Sequence, residues 1–249
     1  MRNPRFYCDP ALCDRLSLGA ILQLPDNAAV HAVKVLRMNQ GECLILFNGD
    51  GQDYRAEILQ ISKQQVRCKI LSVNPVNSES PLQITLAQAI SAGDRMDLTI
   101  QKAVELGVAA IQPIASQRSV VKLSQDRLEK RLAHWQNVAN AACEQSGRAI
   151  VPQVFAPLSL ADWLAQAPLA PTRIMLSPDA EIPITKLQLA ATEICLLVGA
   201  EGGLSPEEKQ LASLTGFQSV RMGTRVLRTE TAPLAALAAI QTLWGDFSA

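Results

Sequence analysis

Two short apolar runs in the last third of the chain each lead into a glycine-containing turn and then into a helix. The first run covers residues 194–198 and precedes the turn 199–204, and the second covers 217–222 and precedes Gly223. A continuous apolar run is typical of a strand covered on both faces. Ligands bind at the carboxyl ends of such strands in open parallel sheets. The sequence therefore predicts an α/β fold in which both turns contribute to one pocket.

The first turn combines the signals of a strand end, a tight turn and a helix start. Its sequence Gly-Ala-Glu-Gly-Gly (199–203) permits backbone angles and close approaches that a Cβ atom would prevent. Ser205 is a helix N-cap candidate, the proline after it fits the first helical position, and Glu208 completes a capping box. We therefore predict a helix that begins directly after the turn.

The residues of this turn favour an adenosine-like ligand without phosphates. A phosphate-binding loop pairs backbone N–H groups with a lysine, and this turn lacks that lysine. Glu201 would repel phosphate, whereas a carboxylate accepts hydrogen bonds from ribose hydroxyls. The Gly-x-Gly-x-x-Gly spacing of dinucleotide sites is also absent. For this turn taken alone, the alternative that its glycines only form a tight turn stays open.

The second turn contains two arginines. Arg225 and Arg228 follow Gly223, and Thr229 and Thr231 are N-cap candidates for an alanine-rich helix. Single arginines ordinarily form surface salt bridges of small energy. Two arginines in one glycine-bounded turn, close in sequence to another ligand-type turn, instead favour a role in the pocket.

These motifs resemble those of the RsmE family, SPOUT-class methyltransferases that methylate N3 of a uridine in small-subunit ribosomal RNA. The paired motifs are Val-Gly-Ala-Glu-Gly-Gly-Leu-Ser (198–205) and Met-Gly-Thr-Arg-Val-Leu-Arg-Thr-Glu-Thr-Ala (222–232). Ala200 departs from the family, which usually has proline there, and this makes the turn slightly less rigid. The resemblance covers essentially the whole chain, and its further segments are 31–41, 102–108, 117–120, Trp135 and 141–148.

The pattern of the chain and the resemblance together predict two domains. Residues 1–73 carry hairpin signals between short apolar runs, typical of a small barrel or sandwich, and the resemblance implies a PUA-like β-barrel. Proline, asparagine and serine cluster at 74–81, which we predict to be a linker. Strands and helices alternate over 82–249, which predicts a parallel sheet covered on both faces. The resemblance implies that this second domain is a SPOUT domain with a trefoil knot.

The resemblance further implies the cofactor, the substrate and the assembly. S-adenosylmethionine is the expected cofactor, and small-subunit ribosomal RNA, within the assembled small subunit, is the expected substrate. A homodimer with active sites completed across the interface is also implied. The expected cofactor-binding residues are Leu176, Val198, Gly199, Glu201, Gly202, Gly203, Met222, Gly223, Leu227, Arg228 and Thr229.

Three side chains are expected to be catalytic, and a basic set is expected to hold RNA. Arg228 would stabilise the anionic uracil or the methionine carboxylate, and Glu144 is a candidate general base. Glu144 and Arg148, at the end of the long helix, would both reach the site from the other subunit. Ordinary surface charge is the alternative for Glu144, for Arg118 and for the helix face that bears His31. The expected RNA-binding residues are Arg2, Arg5, His31, Lys34, Arg37 and Arg118.

Composition argues against an overall basic RNA-binding field, a metal site and membrane association. The 23 basic and 23 acidic residues give no overall basic field, so an RNA site must be a local patch. The six cysteines form no C-x-x-C pair and only two histidines occur, so we predict no metal site. No apolar stretch reaches the ~20 residues that span a bilayer, and no signal peptide is recognisable. We therefore expect no membrane association and a cytoplasmic protein.

Two other functions stay open on the sequence. One is a nucleotide-dependent metabolic enzyme that uses the same turns for ATP or NAD, which the missing lysine and Glu201 disfavour. The other is an RNA-binding or ribosome-assembly module without catalytic activity. The intact cofactor turns would then have no purpose.

Overall fold

The chain divides into two compact units. The computed structural model describes residues 3–10, 16–63, 65–119, 125–166 and 170–248. The N-terminal unit comprises Met1–Glu79 and Cys143–Val151, and the C-terminal unit comprises Ser80–Ala142 and Pro152–Ala249. The last N-terminal strand continues to Pro75, into the segment predicted to be a linker. The grouping of Cys143–Val151 with the N-terminal unit was not predicted.

A five-stranded sheet forms the body of the N-terminal unit. Its strands are β1 (Arg5–Tyr7), β2 (Ile21–Gln23), β3 (Cys43–Phe47), β4 (Gln52–Ser62) and β5 (Gln65–Pro75). The spatial order is β1-β3-β4-β5-β2, with β1 parallel to β3 and the other pairs antiparallel. Val66, Cys68 and Ile70 are buried at alternate positions of β5, as the two-residue period of a half-buried strand requires. They join an apolar core that includes Phe6 and Leu44.

A short helical segment follows β2. The helix α1 (Asp26–Val30) continues into a single π-helical stretch, His31–Val35. The spacing i, i+3, i+6 predicts that His31, Lys34 and Arg37 share one side of a short helix, and this is wrong for Arg37. Arg37 lies beyond the helical segment with a left-handed φ of 54°, although all three side chains are exposed.

A parallel sheet forms the centre of the C-terminal unit, as the alternation of strands and helices predicted. Its main strands are β6 (Gln83–Ala89), β7 (Ala110–Ala115), β8 (Gln153–Val154), β9 (Leu158–Ser159), β10 (Thr172–Leu176), β11 (Glu193–Val198) and β12 (Gln218–Val220). The order is β12-β10-β11-β6-β7-β8, with β9 also on β7. All these pairings are parallel.

Five helices accompany this sheet in the described residues. They are α2 (Arg95–Glu105), α3 (Gln125–Ser146), α4 (Leu160–Gln166), α5 (Pro206–Leu214) and α6 (Thr231–Trp244). The predicted capping box of α5 is confirmed, because Ser205 and Glu208 each bond the other's backbone N–H. Asp94 occupies the N-cap position of α2, but its side chain makes no capping hydrogen bond.

Two strands differ in length from the prediction. The apolar run 108–114 predicts a strand that starts at Val108. β7 instead begins at Ala110, because the N–H of Val108 donates to Ala103 and closes the end of α2. β12 ends at Val220, because Arg221 leaves the sheet and bonds the backbone of Ile182. In both places backbone hydrogen bonds from neighbouring segments, rather than the apolar run, set the strand end.

Candidate cofactor site

A cavity of about 340 Å³ opens at the carboxyl ends of three neighbouring parallel strands. β10, β11 and β12 end at Leu176, Val198 and Val220, and all three residues line it. Both glycine-containing turns contribute, as predicted. The other lining residues are Arg95, Ser177, Pro178, Gly199, Ala200, Glu201, Gly203, Met222, Gly223, Arg225, Val226, Leu227, Arg228, Thr229, Glu230 and Ala232.

Every predicted cofactor-binding residue except Gly202 lines this cavity. Sequence reasoning missed several of its other residues. Ser177 and Pro178 directly follow β10, so the rule that ligands bind at strand ends could have identified them. Arg95 carried no such signal, since only the strand order places the turn after β6 beside β11.

The glycine-rich turn brings its first residue, Gly199, against the backbone of Gly203 and Leu204. A Cβ atom at Gly199 would lie 2.8 Å from the carbonyl carbon of Gly203 and from the nitrogen of Leu204. Gly203 has a φ of 68°, and its N–H donates to the carbonyl of Ala200 at 2.8 Å. Gly199 is therefore required for close approach, and Gly203 for its left-handed backbone.

Glu201 is held by the turn that precedes α2. Its Oε1 accepts hydrogen bonds from the N–H of Ala92 at 3.1 Å and from Nη1 of Arg95 at 2.9 Å. Oε2 of Glu230 lies 3.9 Å from Nε of the same guanidinium. Burial acts to raise the pKa of Glu201, but hydrogen bonds from its own N–H, from Ala92 and from Arg95, together with the Arg95 charge, outweigh it, so its pKa is lowered. A carboxylate at the cavity wall is thus kept ionised and oriented.

Thr229 joins the two turns. Its hydroxyl donates to the carbonyl of Gly199 at 3.1 Å and accepts a 3.4 Å hydrogen bond from the buried amide of Gln88. The sequence suggested Thr229 and Thr231 as caps of α6, but Glu230 occupies the N-cap position and makes no side-chain cap bond. The hydroxyl of Thr229 instead fixes the first turn against the second.

Arg118 contacts the glycine-rich turn. Its Nη1 donates to the carbonyl of Gly202 at 2.7 Å, and a Cβ atom at Gly202 would lie 3.2 Å from Cβ and Cδ of Arg118. Gly202 therefore lies against Arg118. Arg118 is exposed, and its predicted contact with RNA stays a prediction.

Arg5 is buried in the N-terminal unit. It forms an ion pair with Asp53, donates to the carbonyl of Arg148 at 3.1 Å and lies 4.9 Å from the ring centroid of Phe47. Only 8% of its surface is exposed. Its predicted contact with RNA is wrong in this structure, because Asp53 already neutralises a guanidinium that solvent barely reaches. Arg2 lies outside the described residues.

Glu144 and Arg148 also belong to the N-terminal unit. Glu144 Oε1 accepts a 2.8 Å hydrogen bond from the N–H of Tyr7, and Arg148 is buried in an ion pair with Glu79. Burial raises the pKa of Glu144, and the Tyr7 hydrogen bond and the charges of His31 and Arg5 offset this only in part. Neither residue lines the cavity described above. Their catalytic roles stay predictions.

The described residues contain neither a cluster of metal-binding side chains nor a helix that could span a membrane. In ranges 3–10, 16–63, 65–119, 125–166 and 170–248, no group of three or more histidine, cysteine or acidic side chains could hold a metal ion. Over the same part of the chain, no helix is long and apolar enough to cross a membrane.

Models of two RNA-modifying domains match the chain. One, described as an RNA methyltransferase domain, matches residues 78–241, and another, described as an RNA methyltransferase PUA domain, matches 24–71. Together with the parallel sheet and the cavity at its strand ends, these matches define the class as RNA methyltransferases with a PUA-like domain.

Named relatives identify the family within this class. Ribosomal RNA small subunit methyltransferase E of Buchnera aphidicola subsp. Schizaphis graminum is 35% identical over 247 residues, covering 99% of each chain. The Bacillus subtilis protein of that name is 33% identical over 218 residues, covering 84% of this chain and 85% of its own. The chain therefore belongs to the ribosomal RNA small subunit methyltransferase E family, which confirms the RsmE resemblance.

Two solved structures share the fold over almost the whole chain. Ribosomal RNA small subunit methyltransferase E from Neisseria gonorrhoeae, bound to S-adenosyl methionine, has a TM-score of 0.90 at 44% identity. The methyltransferase Lpg2936 of Legionella pneumophila, in complex with the cofactor SAM, has a TM-score of 0.94 at 40% identity. Each match covers 99% of this chain and 100% of the other.

Proposed function

We propose that this protein transfers the methyl group of S-adenosylmethionine to N3 of a specific uridine in small-subunit ribosomal RNA. The observation that carries the proposal is the cavity at the ends of β10, β11 and β12, built from both glycine-containing turns. Full-length relatives named for this methyltransferase, and two similar structures that contain the cofactor, support it.

The residues of the cavity fit S-adenosylmethionine. Leu176, Val198, Met222 and Leu227 give apolar walls suited to adenine, and the turns offer backbone groups for its polar edge. The oriented carboxylate of Glu201 suits a ribose hydroxyl. A ligand without phosphates needs no lysine in the turn. When bound, this cofactor supplies a methyl group already activated on a sulfonium, so the protein has mainly to align the acceptor.

The acceptor nitrogen sets a second requirement, which Arg228 can meet. Uracil N3 carries a proton, and its loss spreads negative charge over the ring carbonyl oxygens. Arg228 is exposed and lines the cavity beside Arg225, where a fixed cation would stabilise that charge. We propose Arg228 as the catalytic cation. Glu144, whose pKa is raised, is the proposed general base, and both Glu144 and Arg148 are proposed to act at the site of the other subunit.

The exposed basic residues of the N-terminal unit are the proposed RNA contacts. His31, Lys34 and Arg37 lie within seven residues of one another along the chain, and all are exposed. Phosphate contacts of this kind position RNA without reading its sequence. N3 lies on the Watson–Crick edge, so a paired uridine must be exposed before it can react.

We also propose a homodimer, a trefoil knot in the cofactor turns, and a cytoplasmic location, each from the family resemblance. One surface observation supports the dimer. Leu98 on α2 and Leu243 on α6 are exposed, and these two helices contact each other. Analytical ultracentrifugation is expected to give twice the chain mass. A single-chain mass at micromolar concentration would contradict the dimer.

Calorimetric titration tests the proposed cofactor against the nucleotide alternatives. S-adenosylmethionine is expected to bind with one site per chain, whereas ATP and NAD, which carry phosphates toward Glu201, are expected not to bind. Binding of ATP or NAD in preference to S-adenosylmethionine would favour a nucleotide-dependent enzyme instead.

A further inference from the structure

The turn after β7 is fixed to the segment that follows the glycine-rich turn. The N–H of Gln117 donates to Oε1 of Glu208 at 2.8 Å, and Oε2 of the same carboxylate caps Ser205. The hydroxyls of Ser116 and Ser119 lie 2.9 Å apart and close the turn. Arg118 therefore extends from an anchored backbone rather than from a free loop.

Arg118 and Ala200 together fix one peptide group of the glycine-rich turn. The carbonyl of Gly202 accepts from Nη1 of Arg118 at 2.7 Å, and the N–H of Gly203, in the same peptide plane, donates to Ala200 at 2.8 Å. A peptide plane held at both its polar atoms cannot rotate without breaking a hydrogen bond. This plane also determines the left-handed φ of Gly203, which lines the cavity.

We propose that Arg118 is a positioning residue for the cofactor, acting through the carbonyl of Gly202. Gly202 does not line the cavity, but Glu201 and Gly203 on either side of it do. By holding the peptide between them, Arg118 keeps the turn in its binding conformation before the cofactor arrives, and such preorganisation increases affinity. The inference rests on the proposed function, since it assumes that this cavity binds S-adenosylmethionine.

We call the hydrogen bond from Nη1 of Arg118 to the carbonyl of Gly202 the clamp. Arg118 is an exposed residue, so the experiments must distinguish the clamp from an RNA phosphate contact.

Two substitutions of Arg118 separate the clamp from simple loss of packing. Arg118→Met keeps the aliphatic stem but removes the donor, and Arg118→Lys keeps the stem and one donor. By calorimetry we expect the Kd for S-adenosylmethionine to rise about tenfold in Arg118→Met, the size of one lost charge-assisted hydrogen bond. It should rise no more than about threefold in Arg118→Lys. Unchanged affinity in Arg118→Met would overturn the proposal.

The kinetic constants distinguish cofactor positioning from RNA binding. With small ribosomal subunits that lack the modification, Arg118→Met should raise KM for S-adenosylmethionine and leave KM for the subunits and its salt dependence unchanged. An RNA phosphate contact would do the reverse, raising KM for the subunits and reducing the salt slope by about one. That result would overturn the proposal.

A double-variant cycle tests the contact itself. Gly202→Ala adds a Cβ atom 3.2 Å from the Arg118 stem and should displace the guanidinium, so it should weaken cofactor binding. In Arg118→Ala the contacts with Cδ and Cγ are removed and only the 3.2 Å contact with Cβ remains, so Gly202→Ala should then weaken cofactor binding less than it does in the wild type. If the losses in cofactor-binding free energy measured for the two single variants simply add in the double variant, the two residues do not act together.

Hydrogen exchange of the free protein tests the clamp without any cofactor. Amides of residues 199–204 should exchange faster in Arg118→Met than in the wild type, whereas those of β4 should not change. Equal exchange rates of these amides in Arg118→Met and in the wild type would overturn the inference, even if the wild type binds the cofactor. If the wild type fails to bind S-adenosylmethionine while this exchange difference is present, the proposed function fails and the clamp remains.

Discussion

At the scale of single residues, Gly199 and Gly203 serve the same turn for different physical reasons. Gly199 leaves no room for a Cβ atom, because backbone atoms of Gly203 and Leu204 lie 2.8 Å from where it would be. Gly203 has open space around that position but a φ of 68°. The first glycine therefore closes the turn, and the second allows the chain to reverse.

Gly199→Ala is expected to destroy the cofactor site. The added methyl group would push apart the two ends of the turn, destabilising the fold by about 1–3 kcal/mol and abolishing binding of S-adenosylmethionine. Gly19→Ala is the matched control, since Gly19 has a φ of 81° with nothing within 4 Å. It should lose about 1–2 kcal/mol of stability while binding the cofactor normally. Normal binding by Gly199→Ala, measured by calorimetry, would contradict the assigned turn.

Arg228→Ala is expected to affect turnover more than cofactor binding. If Arg228 stabilises the charge that develops on uracil, kcat should fall about a hundredfold, the usual effect of removing one such group. The Kd for S-adenosylmethionine should change little. Arg225→Ala, three residues away and also on the cavity wall, is the comparison variant. Equal losses in kcat and in cofactor affinity for Arg228→Ala would make Arg228 a cofactor ligand instead.

The sequence predicted residues next to strand ends well and residues with distant partners poorly. Val198, Gly199 and Met222 follow from apolar runs and turn chemistry, which are local. Arg5 was misassigned because the partner that buries it, Asp53, lies 48 residues away. A basic residue near a chain end looks exposed in a sequence, and only the fold reveals an acidic partner.

At the scale of elements, the first turn of α5 links the segment after the glycine-rich turn to the turn after β7. Glu208 is buried, and its two oxygens accept from the N–H groups of Ser205 and Gln117, both at 2.8 Å. The residue is thus both the capping-box acid of α5 and the anchor of the turn after β7. The sequence predicted the first role from spacing. It could not predict the second, because Gln117 lies 91 residues away.

Truncating the two capping residues should therefore have unequal effects. Ser205→Ala removes one acceptor for the N–H of Glu208 and should lower the free energy of unfolding by about 1 kcal/mol. Glu208→Ala leaves two N–H groups without their acceptor and should cost roughly twice as much. Urea unfolding measures both. Equal losses would mean that the bond from Gln117 contributes nothing.

At the scale of the whole molecule, the parallel sheet was predictable and the composition of the N-terminal unit was not. Alternating strands and helices limit the C-terminal unit to a few architectures, whatever the details of its loops. Cys143–Val151, by contrast, joins the N-terminal unit through bonds such as Tyr7 to Glu144 and Arg5 to Arg148, across 137 and 143 residues. Helical periodicity gives no information about such partners.

Glu144 should make the stability of the protein depend on pH. Its folded pKa is raised above the ordinary value of 4.5, chiefly by burial, so the folded state binds a proton more readily than the unfolded state. The free energy of unfolding should therefore fall as pH rises from 4.5 through the folded pKa. Glu144→Gln keeps an acceptor for Tyr7 without the charge and should lack this fall. Parallel pH profiles for both proteins in urea unfolding would contradict the assignment.

The central claim is that the cavity at the strand ends supports methyl transfer to uridine N3, and product analysis tests it most directly. Small ribosomal subunits lacking the modification would be incubated with labelled S-adenosylmethionine and the protein, and the digested nucleosides analysed by mass spectrometry. The account predicts label in 3-methyluridine, and none with Gly199→Ala. Label in another nucleoside would contradict the proposed acceptor atom, and no transfer to subunits or to naked RNA would indicate an RNA-binding module without catalysis.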